Sequence, residues 1–283
     1  MTMEENNIKL SKIKSSKNFL CISNFNDDLD WLKEFDNPHI IYDKCFKGIK
    51  KTKYFPYDIP PSNLSIKYPD MNIRKGDIGG YNINEYLSYI IEHYDNLPDN
   101  VVFIKGNILN RHVSLDFLKK VINNKYFTSI EEWEFEQFNK KLFFNKAFFI
   151  SSDGGWEELN NNWYLNKIKH PNKFFNNFNT FMKFIFKSYI EPKYIRFCPG
   201  ANYIVPKYRI QKYNIVFYKN LKYIINYSQL SGESHILERA LYAIWNSEYE
   251  VSEIMKEPFN ENTSFPKKDN FIKYFSRKLF SKI

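Results

Sequence analysis

An α/β fold is what this sequence of 283 residues predicts, and three observations predict it. Ile83, Tyr86, Leu87, Ile90, Ile91 and Tyr94 recur at the spacing that lines one face of an α-helix. Short apolar runs at residues 19–22, 40–42, 101–104 and 147–150 suit strands covered on both faces. Each run passes into a polar loop carrying Asn, Asp or Gly, which is where ligands sit in open α/β sheets.

Taken in order, residues 1–17 are polar and basic and read as an arm ahead of the fold. Phe19-Leu20-Cys21-Ile22 is the first strand, and Ser23 to Asp28 gathers polar side chains at its carboxyl end. Asn24, Asn26, Asp27 and Asp28 are therefore candidates for the nucleotide end of a ligand, with Asp27 or Asp28 equally able to cap the short helix that follows. The second strand, residues 40–42, ends at Asp43-Lys44, where Lys44 is a candidate to meet a phosphate, with a solvated side chain as the plain alternative. Residues 49–72 hold four prolines and no apolar period, so they read as a long irregular loop.

Asn82 followed by Glu85 reads as a capping box at the start of the helix over residues 83–94. Residues 95–100 supply turn chemistry, and residues 101–104 form the central strand. Lys105, Gly106 and Asn107 follow it, with Arg111 and His112 in the same loop, and all five are candidates for donor binding, a lone surface histidine being the plain alternative for His112. A short helix is expected over 114–122, while 133–143 and 213–227 show no clear period. Phe178, Phe181, Met182, Ile185 and Tyr189 sit at helical spacing and read as core. Leu237, Ala240, Leu241, Ile244 and Trp245 make the apolar stripe of a later helix.

The net charge of +9 is concentrated at one end, because residues 266–283 hold six basic side chains against Asp269. No basic module with interleaved aromatics stands in the body, which argues against a nucleic-acid partner. Cys21, Cys45 and Cys198 lie far apart, without metal-ligand spacing or a disulfide framework. No apolar core of a signal peptide and no run of about 20 apolar residues occurs, so the expectation is a cytoplasmic protein. In the segment 257–283, Phe271, Ile272, Phe275, Leu279 and Ile283 fall on one side of a helix and basic residues on the other. That is the pattern of a tail lying on an anionic membrane surface.

The pattern Gly80-x5-Tyr86-Leu87, Tyr94-Asp95-Asn96-Leu97-Pro98 and Val101-x-Phe103-x-x-Gly106 resembles an uncharacterised glycosyltransferase-like family. Its members carry a Gly-Arg-Glu-x-His-x-Tyr-Leu helix start, a Tyr-Asp-Asn-Leu-Pro turn and a Phe-x-Gln-Gly strand end. Similarity extends to Ile41-Tyr42-Asp43-Lys44, to residues 199–205 and to Leu237-Glu238-Arg239-Ala240-Leu241, so most of residues 19–245 is covered. Tyr81, Asn82, Asn84 and Lys105 depart from the family's Arg, Glu, His and Gln. The resemblance implies a single GT-A-like domain, here residues 18–256, with a mixed, mostly parallel sheet flanked by helices. It also implies transfer of a sugar from a nucleotide-sugar donor to a glycan or lipid-linked acceptor. Gly80 then belongs to the donor side, and Gly200, Asn202 and Tyr203 to the acceptor side.

Many such transferases hold manganese or magnesium with an Asp-x-Asp pair after a strand. Here Asp153 stands alone after residues 147–150 as a candidate ligand, and cationic side chains against the diphosphate are the alternative. For the general base, two carboxylates are candidates. Glu238 lies at the edge of an apolar stripe, where desolvation raises a carboxylate toward neutral pH, and Glu233 lies at the start of the same helix. An ion pair is the plain alternative for Glu238. The absent Asp-x-Asp and the altered helix start keep a non-catalytic sugar- or nucleotide-binding module as the competing class.

Overall fold

The computed structural model describes residues 17–53, 58–132, 147–150, 155–167 and 170–268. Nine strands are found among them: β1 (Phe19–Asn24), β2 (His39–Asp43), β3 (Ile73–Lys75), β4 (Asn100–Lys105), β5 (Thr128–Ser129), β6 (Ala147–Ile150), β7 (Gly155–Leu159), β8 (Tyr194–Phe197) and β9 (Tyr203–Pro206). Six of them form one sheet in the order β3-β2-β1-β4-β9-β5. β3, β2, β1 and β4 run parallel, and β9 enters antiparallel between β4 and β5. The sheet is thus mixed and mostly parallel, as expected. β6, β7 and β8 make a separate antiparallel sheet that the sequence reading did not anticipate.

Two layers cover the main sheet because its strands alternate. Cys21, Ile40, Tyr42, Val101, Phe103, Tyr203 and Val205 face one core, while Leu20, Ile22, Ile41, Val102, Ile104 and Ile204 face the other. The first core is built by the helices α2 (Ile83–His93), α6 (Phe178–Ile185), α8 (Ile215–Ile225) and α9 (Gly232–Asn246), preceded in the chain by the short α1 (Leu64–Lys67). Leu29, Leu32, Leu64, Ile108 and Leu118 line the second, the last two from α3 (Ile108–Arg111) and α4 (Leu115–Val121). α5 (Trp163–Lys167) and α7 (Lys207–Ile210) complete the set.

Several expectations are corrected. The capping box does not form: Asn82 makes no cap bond, and the Glu85 side chain is drawn inward to Lys44 instead. A buried ammonium is a stronger partner for a carboxylate than one helix-end N–H. The loop of 49–72 contains α1, and 213–227 resolves into α8, whose N-cap Asn214 accepts from the Phe217 N–H. The helical spacing read from Phe178 to Tyr189 is only partly followed, since the helix stops at Ile185, where Phe186 turns extended and bridges to Val251.

No helix among the described residues is long and apolar enough to cross a membrane. The arm at 1–16, Asp153 and the amphipathic pattern at 269–283 lie outside the described residues.

Candidate functional site

β1, β2 and β4 end side by side, with Asn24 paired to Asp43 and Ser23 to Lys105. The loops that follow are locked together. Asn24 is fully buried and its Nδ2 donates to the Asp27 carbonyl at 3.2 Å. The Gly106 N–H donates to the Ser23 carbonyl, and Trp31 Nε1 donates to the Gly106 carbonyl at 2.9 Å. A Cβ on Gly106 would stand 1.9 Å from Asn24 Oδ1, so this close approach requires glycine.

Out of this edge rise Asp27, Lys105 and Arg111. Lys105 is half-buried, and its ammonium has no hydrogen-bond acceptor among the described residues. Burial, helped by the charge of Arg111 and opposed by Glu238, Asp27 and Glu131, pushes its pKa down to about 8. Arg111 is exposed at the end of α3 and pairs with no carboxylate among the described residues. Burial raises the Asp27 carboxyl against the pull of Lys105 and Arg111. Asp28 turns away: Tyr68 Oη and the Asp30 N–H donate to it at 2.7 Å, and Lys67 pairs with it, although Leu29 and not Asp28 is the N-cap of the 3-10 turn that follows. Asn26 holds a left-handed φ of 59° on the exposed loop, and Asn107 precedes α3 without capping it.

Opposite stands the turn between β8 and β9. Gly200 (φ 76°) and Ala201 (φ 55°) are both left-handed, a strained pair for the alanine. Asn82 Nδ2 donates to the Gly200 carbonyl at 2.9 Å, and the Gly200 N–H donates to Glu238 Oε1 at 2.6 Å. Behind the turn lies His112, which is buried rather than on the surface, with Nδ1 3.1 Å from Glu131 Oε2. Burial lowers the histidine and raises the glutamate, disfavouring the charged form of each.

Of the three expected acceptor residues, only Gly200 reaches this wall. Asn202 is fully buried: its Oδ1 accepts from the Lys105 N–H and its Nδ2 donates to Pro199. Tyr203 is fully buried too, stacked on Phe127 and accepting from the Cys198 N–H. Both hold the turn in shape.

The carboxylate assignments also change. Glu233 is completely enclosed; Oε1 accepts from the N–H groups of Phe174 and Phe175, and Oε2 from Tyr227 Oη at 2.6 Å. It fastens the start of α9 to the neighbouring loop and has no lone pair facing a cleft. Glu238 does border the site, but it is not raised toward neutrality. Burial acts to raise it, yet Arg239 at 2.7 Å, His235 and the Gly200 N–H outweigh burial and hold it at about 2. Arg239 is in turn fixed by Glu158 at 2.9 Å.

Lys44 is likewise committed, 4 % exposed, with Glu85 at 2.6 Å and the Asp77 and Gly79 carbonyls as further acceptors. It braces the strand end and is closed to a phosphate. Gly80 is left-handed (φ 69°) and its N–H donates to the Ser228 carbonyl, which sets the following residue, Tyr81 (φ 52°), against α9.

Sequence reasoning missed the imidazoles. His235, in the first turn of α9, is tilted on Tyr81 at 4.9 Å and stacked on His170 at 5.1 Å, and His170 Nε2 lies 3.1 Å from Tyr81 Oη. The i, i+3 spacing of His235 and Glu238 was a legible signal; the approach of His170, 65 positions upstream, was not.

Among the described residues no three His, Cys, Asp or Glu side chains gather as a metal-holding group. A separate groove of about 280 Å³ lies between β8 and the far end of α9, walled by Tyr189, Tyr194, Tyr242 and Tyr249, away from these charged groups.

The family described as "Protein of unknown function (DUF3431)" matches residues 23–261, most of the chain, and the chain belongs to that family. No curated protein and no solved structure matches it.

Proposed function

We propose that this member of the DUF3431 family is a glycosyltransferase that moves a sugar from a nucleotide-sugar donor to a glycan or lipid-linked acceptor. The donor lies across the carboxyl ends of β1, β2 and β4 in a GT-A-like domain. The observation that carries this reading is the pair Lys105 and Arg111, two cations set together at the end of a central parallel strand. Their repulsion costs free energy until an anion arrives, and a diphosphate would meet both. The loop of Asn24 to Asp28 is the adjoining surface for the nucleoside, and the half-buried Asp27 is placed to accept from ribose or base.

In the transfer step the acceptor oxygen bonds to the sugar carbon as that carbon's bond to the diphosphate oxygen breaks. The electron pair leaves on the diphosphate, where Lys105 and Arg111 stabilise it.

The experiment is a panel of nucleotide sugars, with and without manganese, read by thermal shift and by acceptor-dependent release of nucleoside diphosphate. Binding of a donor raises the melting temperature by mass action. Lys105→Gln, with the wild-type melting temperature or higher in the absence of ligand, is expected to lose at least tenfold in donor affinity. Unchanged affinity in that variant would remove the diphosphate assignment. The second reading, a binding module without turnover, is favoured by the full engagement of both Glu233 and Glu238. Binding of donors without any release in the panel would select it.

A further inference from the structure

We infer that the imidazole of His235, oriented by Glu238, is the catalytic base of this site; the inference rests on the transfer reading above. The two ring nitrogens have different surroundings. Nδ1 faces Glu238 Oε2 at 3.8 Å, while Nε2 is buried and has no hydrogen-bond partner among the described residues. A buried ring nitrogen without a partner is a position that can take a donor, and His39, His93 and His112 carry such an Nε2 as well. A hydroxyl of the acceptor supplies that donor.

Glu238 has the properties of a positioning carboxylate. Its Oε1 is pinned by the Gly200 N–H at 2.6 Å and its Oε2 by Arg239 at 2.7 Å, and Arg239 is held by Glu158. A carboxylate so fixed and so strongly ionised is a poor base, but at 3.8 Å from Nδ1 its charge favours one orientation of the ring and stabilises the imidazolium that forms.

The other groups facing His235 agree. Tyr81 from the turn before α2 and His170 from the loop before α6 cover the ring, and Arg239 touches only its backbone carbonyl. His170 is lowered to about 4, by burial first and then by the charge of His235, so it stays neutral beside a protonated neighbour. In the step, the acceptor proton passes to His235 Nε2 as the new sugar–oxygen bond forms and the diphosphate departs with its electron pair. Water later removes that proton.

The test compares wild type with His235→Gln, His235→Ala and Glu238→Gln, using the donor and acceptor active with the wild type. His235→Gln is expected to lower turnover by roughly 10²- to 10⁴-fold while donor affinity, read by thermal shift, changes less than threefold. Added imidazole is expected to restore part of the turnover of His235→Ala. Glu238→Gln is expected to move the acid limb of the pH profile to lower pH, because the imidazolium loses its anionic neighbour. A merely structural Glu238 would lower turnover without moving that limb. Turnover of His235→Gln within threefold of wild type, or an acid limb that does not move, overturns the inference and leaves the transfer reading standing. A wild type that releases no nucleoside diphosphate from any donor overturns both.

Discussion

Lys44 Nζ and Glu85 Oε2 meet at 2.6 Å with 4 % and 1 % of their side chains exposed, joining the end of β2 to the start of α2. Ser23 Oγ and Asn84 Nδ2 also donate to Glu85, and two backbone carbonyls accept from Lys44. Burial lowers the lysine and raises the glutamate, and their mutual attraction opposes both shifts. Removing one partner strands the other charge in the interior. Lys44→Met is therefore expected to destabilise by about 3–5 kcal/mol in urea unfolding. Lys44→Met combined with Glu85→Leu is expected to recover most of that loss, and a double variant no better than the single one would show that the pair is not coupled.

Glu233 gives a second prediction. Its three acceptor bonds tie α9 to residues 174–175 and to Tyr227. In Glu233→Gln the charge that strengthens these bonds is lost, and the NH₂ keeps Tyr227 only with that hydroxyl's proton turned to the Pro171 carbonyl, at a cost of roughly 1–3 kcal/mol. Denaturant unfolding checks this. Because the loss is structural, turnover per folded molecule at low temperature is expected to stay near wild type.

The third prediction is a pH dependence. His170 titrates at about 4 in the folded protein, below the ordinary 6.5 of histidine, because burial and the charge of His235 disfavour its cation. Between these values the unfolded chain binds more protons, so stability falls as pH is lowered from about 6.5 toward 4. His170→Gln is expected to flatten that part of the curve. Parallel curves for wild type and variant across pH 4–7 would contradict the assignment.

The fourth concerns membranes. Phe265 packs 4.3 Å from Phe174 and Lys268 Nζ donates to the Asn172 carbonyl, so the chain leaves the described structure beside the loop that carries His170. Residues 269–283 carry an apolar side and a basic side in sequence. The full chain is expected to sediment with anionic vesicles in a salt-sensitive way, each basic residue near the surface contributing about 1 kcal/mol. A chain ending at Lys268, which keeps Phe265 in place, is expected not to. Equal binding by the two would remove the tail as an anchor.

The sequence alone determined the apolar runs of β1, β2 and β4 and the helical period of α2 and α9, whereas α8 showed no clear period and the sheet of β6, β7 and β8 was not legible. Residues 19–22, 40–42 and 101–104 were legible as buried strands because β-branched and aromatic residues run there without polar interruption. That polar loops follow these strands was legible for the same reason, and it placed Asp27, Lys105 and Arg111 together beyond the strand ends. What the tertiary structure alone decided is how each polar side chain is used. Lys44, Asp28 and Glu233 look in sequence like ligand or catalytic groups, yet each meets a partner distant in the chain that consumes its hydrogen-bonding capacity. His170 and Tyr81 become relevant only because a left-handed turn at Gly80 and the loop before α6 both close on the first turn of α9. Periodicity is a local property of the chain, whereas the ionisation and satisfaction of a buried group depend on whichever charges the fold brings within a few ångströms of it.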